Sequence, residues 1–322
     1  MRRRDFITFL GGAAAAWPLA ARAQRPSVRM PRIGIIDNEP VWDSFRQGLR
    51  DLGYIENQNI AIEYRSAEEK VDRLAQAARE LVSAPVDVIV VTGSPATRAA
   101  RQTTSTIPIV AIAVGDPLIA GFAASLARPG GNMTGLSSQS SDLIGKRLEI
   151  LRECVPAVAR VAFLWNPDND SNLAFLDDLI VAVPALGLQL TSAPIRNADE
   201  FEGAFAAVLQ RRPNAALVTG DPLLRLYQNR IIDFVAKNRL PAMYQEKEWV
   251  AAGGLLSYGP SSPDLFRQGA LYVHKILQGA KPADLPIEQP TRFDLAINVK
   301  TARALGFEIA PTLLTRADEV IE

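Results

Sequence analysis

Two short turns in this sequence carry an acid in the same place. "VGDPL" ends an apolar run at Leu118, and "TGDPL" ends another at Leu223. Each sets an aspartate, Asp116 or Asp221, just beyond a stretch that reads as a buried strand. A carboxylate held there can take a charge-assisted hydrogen bond from an ammonium group. It can equally cap the helix that the following proline begins. If the two turns face one cleft from opposite walls, at least one aspartate is expected to bind a donor on a ligand.

Other turns share the style. "DNEP" offers Asn38, "TGSP" offers Ser94 with Thr97 three residues on, and "WNPDN" offers Asn166. Ser138 follows a Gly- and Asn-rich stretch, and Glu246 is a third acid near a strand end. Hydroxyls and the free N–H groups of helix starts suit a carboxylate or another anion. Trp42, Tyr244 and Tyr258 lie at or just beyond strand ends, where a ring either stacks on a flat ligand or fills the core. The candidate ligand-binding residues are therefore Asn38, Trp42, Ser94, Thr97, Asp116, Ser138, Asn166, Asp221, Tyr244 and Tyr258. Such a set fits an aromatic amino acid, and also a purine-like or other small organic molecule. No arginine stands immediately at these strand ends, which argues against a dicarboxylate or a phosphate ester.

Catalysis and cofactors find little support. The one histidine, His274, lies within the helical stretch "QGALYVHKILQG", so no histidine metal cluster exists and a helix-face role is expected. Glycine-rich nucleotide fingerprints and a G-x-S-x-G elbow are absent. No catalytic residue, metal or cofactor is called for; an Asp-based hydrolase is the enzyme alternative. Lys+Arg and Asp+Glu number 35 each, leaving no basic excess to bind nucleic acid. The single cysteine, Cys154, excludes an intrachain disulfide and reads as a buried free thiol.

The elements that must hold these turns alternate regularly. Strands are expected at 32–37, 60–64, 86–92, 107–113, 160–165, 188–194, 215–219, 241–244 and 254–259, with amphipathic helices between them. Near-continuous apolar runs of this length mark strands buried on both faces, and their alternation with helices predicts an α/β fold with parallel sheets. Ligands bind such sheets outside the carboxyl ends of the strands, where all the turns above fall. "PGGNMTGLSSQSS" interrupts the pattern near residue 138, after which it begins again. Two Rossmann-like lobes with parallel sheets joined by hinge crossings are expected, rather than one sheet of nine or more strands. The first lobe takes 30–138 plus about 258–288, and the second 139–257 plus about 290–322. Further crossings fall near 256–259, at the glycines of "GGLLSYGPSS", and near 285–292, in the Pro-rich "KPADLPIEQPT".

Several segments together resemble the substrate-binding component of ABC importers, in the family that includes tryptophan and tyrosine receptors. They are "VWDSFRQGLRDLGYIENQNIAIEYRSAEEKVDRLAQAARELV", "DPLIAGFAASLARPGGNMTGLS", "DLIGKRLEILRECVPAVARVAFLWNPDN" and "FDLAINVKTARALGFEIAPTLLTRADEVIE". The resemblance implies a type I periplasmic-binding fold whose two lobes, with three hinge crossings, close on a small-molecule ligand. It also implies an ABC permease in the inner membrane as partner. A receptor for a membrane sensor kinase would share the fold. A transcription regulator would need a helix-turn-helix where this chain carries an export signal.

That signal is residues 1–23. A basic start, an apolar stretch and Ala21-Arg22-Ala23 mark a cleaved secretory peptide, and "RRDFI" fits the twin-arginine type beside the general one. Cleavage removes four arginines and one aspartate, so the exported chain has a net charge of about −3. With no cysteine at the cleavage point, a lipid anchor is not expected. The exported protein should reside in the periplasm, free of the membrane, and begin at Gln24. Amino-terminal sequencing of exported material checks this, and finding the uncleaved segment embedded in membrane contradicts it. Replacing Arg3 and Arg4 with lysine should block export if the twin-arginine route is used.

Overall fold

A computed structural model describes residues 29–36, 42–67, 71–139 and 143–322, with the side chains of 71 and 72 excepted. The export signal and Asn38 lie outside the described residues. Two sheets form, not one. The first contains β1 (Arg32–Ile36), β2 (Ala61–Arg65), β3 (Val88–Thr92), β4 (Ile109–Val114) and β5 (Met133–Ser137), in the order β2-β1-β3-β4-β5, all parallel. The second contains β6 (Arg160–Trp165), β7 (Gln189–Pro194), β8 (Ala215–Val218), β9 (Ala242–Tyr244), β10 (Leu256–Pro260), β11 (Phe293–Asn298) and β12 (Glu319–Ile321). Its order is β12-β11-β10-β9-β8-β6-β7, and only β10 and β11 run antiparallel.

The apolar runs become interior strands. Val88, Ile89, Val90 and Val91 are all fully buried, because helices cover both faces of the sheet. Helices Val71–Ser83 and Gly93–Thr103 pack on one face of the first sheet. Trp42–Asp51 packs on the other beside Ser262–Leu277, a helix from late in the sequence. Small residues allow that second pairing. A Cβ on Gly48 would stand 2.9 Å from the Ala270 Cβ, and one on Gly269 would stand 2.3 Å from the Ile112 side chain. The second sheet is likewise covered, by Ile144–Cys154 and Asp170–Ala185 on one face and by Phe201–Gln210 and Gln228–Lys237 on the other. Cys154 lies in the first of these layers, and burial pushes its thiol up to about 12.

The chain leaves the first sheet after β5 and enters helix Ile144–Cys154. It returns only after β10, which pairs with β11 from Leu256 to Pro260. The middle passage therefore lies at Ser261, beyond the expected 256–259, and residues 258–260 belong to the second sheet. The last passage lies between Glu288, bridged to Leu136, and Phe293.

Three strands lacked a sequence signal: β5, β11 and β12. In β5 the reason is Gly135, which reads as a breaker. Its φ is 147°, and a Cβ there would lie 1.8 Å from the Ala111 carbonyl oxygen. Close backbone approach beside β4 demands glycine inside this strand. Gly135→Ala is expected to destabilise the protein by about 3 kcal/mol through overpacking and strain. Urea denaturation checks this, and an unchanged midpoint contradicts it.

Candidate functional site

A cavity opens where the carboxyl ends of the two sheets meet. Thr92 at the end of β3, Gly93 and Ser94 just after it, Gly115 after β4 and Ser138 after β5 form its first wall. Asn169, Ser171 and Asn172 after β6, Gly220 and Arg225 after β8, and Gln245 and Glu246 after β9 form its second. Ser262 and Leu265, just past the middle passage, complete it.

The walls touch. Ser94 Oγ and Ser171 Oγ share a hydrogen bond, and Arg98 pairs with Asp170. A Cβ on Gly115 would stand 2.5 Å from the Ser171 Cβ, and one on Gly93 would stand 3.5 Å from the Pro222 side chain. Glycine at these places lets two backbones approach across the cavity. Ala113 joins the lining with φ 57°, at the register shift between β4 and β5. A non-glycine residue in the left-handed region is held there by its surroundings at some cost, as happens beside binding sites.

The paired aspartates do not line this cavity. Asp116 Oδ1 accepts from the N–H groups of Leu118 and Ile119, at 2.8 and 2.9 Å. Asp221 is fully buried and caps the short helix Pro222–Leu226 through Leu223 N and Leu224 N. Its oxygens also accept from the side-chain amides of Asn166, Asn169 and Asn172, at 3.3, 2.8 and 3.1 Å. Burial raises the Asp221 pKa, and these donors oppose the rise. The expectation of a shared cleft gives way to a capping role: both carboxylates already satisfy backbone donors, and the second has no solvent-facing oxygen. Asp221 nevertheless shapes the site through its amides, because Asn169 and Asn172 reach the cavity.

Of the other expected residues, Ser94 and Ser138 line the cavity. Thr97 is buried one turn deeper, and its hydroxyl donates to Gly93 O at 2.6 Å. Asn166 is buried behind the wall on Asp221. The three aromatics belong to the core instead of the lining. Trp42 is fully buried, edge-on to Phe45 and Phe266 at 5.5 and 5.1 Å. Tyr244 is fully buried and stacked on Trp249 at 4.8 Å; burial pushes its hydroxyl pKa up. Tyr258 packs on Phe293 at 6.1 Å and offers its carbonyl to Arg147. A large ring near a strand end gains more from a closed core than from a wet cavity. His274 is a helix-face residue bonded through Nδ1 to the Tyr54 hydroxyl at 2.9 Å.

Two arginines escaped the reading of strand ends. Arg225 reaches the cavity from the last turn of the helix that Asp221 caps, four residues beyond the turn. It meets Glu246 with two bonds, Nε to Oε2 at 3.1 Å and Nη2 to Oε1 at 2.8 Å. Among the described lining residues these two carry the only formal charges. Arg147, wholly buried in helix Ile144–Cys154, donates from Nε to Tyr258 O at 2.7 Å. Burial lowers its pKa to about 9, against the opposing influence of Tyr258 and Glu246. Its guanidinium thus ties the helix after the first passage to the strand before the second. Asn169, Ser171, Asn172 and Gln245 were also passed over, although the polar run "NDNDSN" at 166–172 marks the loop of β6 once proline is skipped.

Two α/β sheets of mainly parallel strands, with a cavity between their carboxyl ends, define a two-lobed binding protein of the periplasmic type. The chain belongs to the family of ABC transporter substrate binding proteins, whose model matches residues 39–321. This is a family of binding proteins, not enzymes. The chain is similar to a tyrosine-binding protein of Clostridioides difficile, at 26% identity over 88% of this chain and 83% of that one. Among solved structures it resembles a conserved domain protein of Vibrio cholerae, with 27% identity, a TM-score of 0.85, and 91% of this chain and 100% of that chain covered. It also shares its fold with a domain from Streptococcus pneumonia in complex with L-Trp, with 24% identity, a TM-score of 0.83, and 90% and 99% of the two chains covered. Among the described residues no helix is long and apolar enough to cross a membrane.

The two aspartates should respond differently to one substitution. Asp116→Asn keeps its cap and should change stability by under about 0.5 kcal/mol, since Asn and Asp cap equally well. Asp221→Asn turns an amide toward the Asn169 and Asn172 donors and should cost about 2 kcal/mol. Parallel urea titrations compare them, and equal midpoints contradict the account.

Proposed function

We propose that this protein is the periplasmic substrate-binding component of an ABC importer, capturing a small amino-acid-like solute by closure of its two lobes. One observation carries the reading: the cavity is shared by two walls that meet directly, through Ser94 with Ser171 and Arg98 with Asp170. A solute held there contacts both lobes at once, so its binding favours the closed form over an open one. Ser94, Ser138, Asn169 and Glu246 offer the polar contacts. The amino-acid class follows from the relatives, one described as tyrosine-binding and one solved with L-Trp. An export signal over residues 1–23, as the sequence reads, would bring the protein to where an inner-membrane permease can receive it.

Native mass spectrometry of protein purified without denaturation identifies whatever solute it carries. Gly115→Ala tests closure, because the added methyl lies within 2.5 Å of the Ser171 Cβ and must hold the lobes apart. The parent should retain a bound small molecule, and the variant should bind the same molecule at least about tenfold more weakly, a cost of about 1.4 kcal/mol. Equal retention by both proteins contradicts capture by closure.

A further inference from the structure

The cavity wall carries one opposed pair of charges. Arg225 and Glu246 stand side by side on it, with side chains 25% and 18% exposed. An opposed pair in a half-closed cavity matches a ligand head that carries both a carboxylate and an ammonium. The rest of the lining is polar and small. Of the seventeen described lining residues, ten have polar or charged side chains, three are glycines, and none is aromatic. The sequence segments 37–41, 68–70 and 140–142 contain no aromatic residue either. Trp42 and Tyr244 are fully buried in the two cores.

A Trp or Tyr side chain in this cavity would find no ring to stack on among the described lining residues. It would also cover hydroxyls and amides without satisfying them, and each buried unsatisfied group is costly. A short side chain with its own donors and acceptors satisfies them instead. Sites built to hydrogen-bond a ligand reject analogues that lack the bonding groups by large factors.

We propose that the cavity binds a small polar α-amino acid, with Arg225 taking its carboxylate and Glu246 its ammonium, and discriminates against aromatic amino acids. This rests on reading the cavity as the capture site. In the unliganded protein the two side chains neutralise each other, and the ligand head enters between them. Each side chain then exchanges one charge-assisted partner for another, so neither charge is left unpaired.

The test is calorimetric titration of the exported protein with L-serine, L-threonine, L-asparagine and L-glutamine, and with L-tryptophan and L-tyrosine. At least one of the first four should bind, and at least about 100-fold tighter than either aromatic. Glu246→Gln and Arg225→Gln should each weaken that binding by about 10- to 100-fold, with thermal melts confirming that both variants fold. Tighter binding of tryptophan or tyrosine, binding by none of the first four, or parental affinity in folded Glu246→Gln overturns the proposal. Ser94→Trp, which fills the cavity, separates this claim from the one beneath it. If Ser94→Trp abolishes capture while Glu246→Gln does not, the cavity stands as the capture site and the charged anchor falls. If Ser94→Trp leaves capture intact, the cavity is not the capture site and both claims fall.

Discussion

Asp221, wholly removed from solvent, fixes the mouth of the second sheet. Its carboxylate accepts from two backbone N–H groups of its own helix and from three asparagine amides of the loop and helix start after β6. Two neighbouring strand ends are thereby locked to each other. Taking a charge out of water is costly, and only such a full set of donors makes it tolerable. With Asp221 in place, Asn169 and Asn172 are aimed at the cavity, and the capped helix carries Arg225 to its wall. The side chains that face the cavity are positioned by one that does not.

The first sheet solves the matching problem with less. Asp116 caps its turn with backbone donors alone and remains half-exposed. Precision there comes from glycine and from the strained Ala113. Gly115 lets Ser171 approach, and Gly135 lets β5 lie against Ala111. Near two of the passages Arg147, whose buried guanidinium donates to the Tyr258 carbonyl, ties helix Ile144–Cys154 to β10. A wall fixed by a charged network thus faces a wall fixed by backbone contact across the cavity.

Much of this was legible in the sequence. All nine expected strands form, because unbroken runs such as "VDVIVVT" admit few alternatives to a strand buried on both faces. The recurring "GDPL" also located the right edge of each sheet. Its acids, however, mark construction: a capping aspartate and a binding aspartate look alike until the partners of each oxygen are known. Trp42, Tyr244 and Tyr258 misled for a related reason, since chain position beside a strand end does not say which way a ring turns. Arg225 was hidden because its reach depends on a helix of five residues, whose turn carries a side chain from outside the strand end into the cavity. β5 was hidden because the glycine that permits it is also the residue that usually breaks a strand.

The central claim is that a solute is held between the two sheet mouths. A crystal structure of the exported protein with its co-purified solute tests this most directly. Ligand density should be bounded by Ser94 and Ser138 on one side and by Asn169 and Glu246 on the other, with Asp116 still capping its turn and Asp221 its helix. Density elsewhere on the molecule, or a solute touching only one lobe in a closed protein, would contradict it.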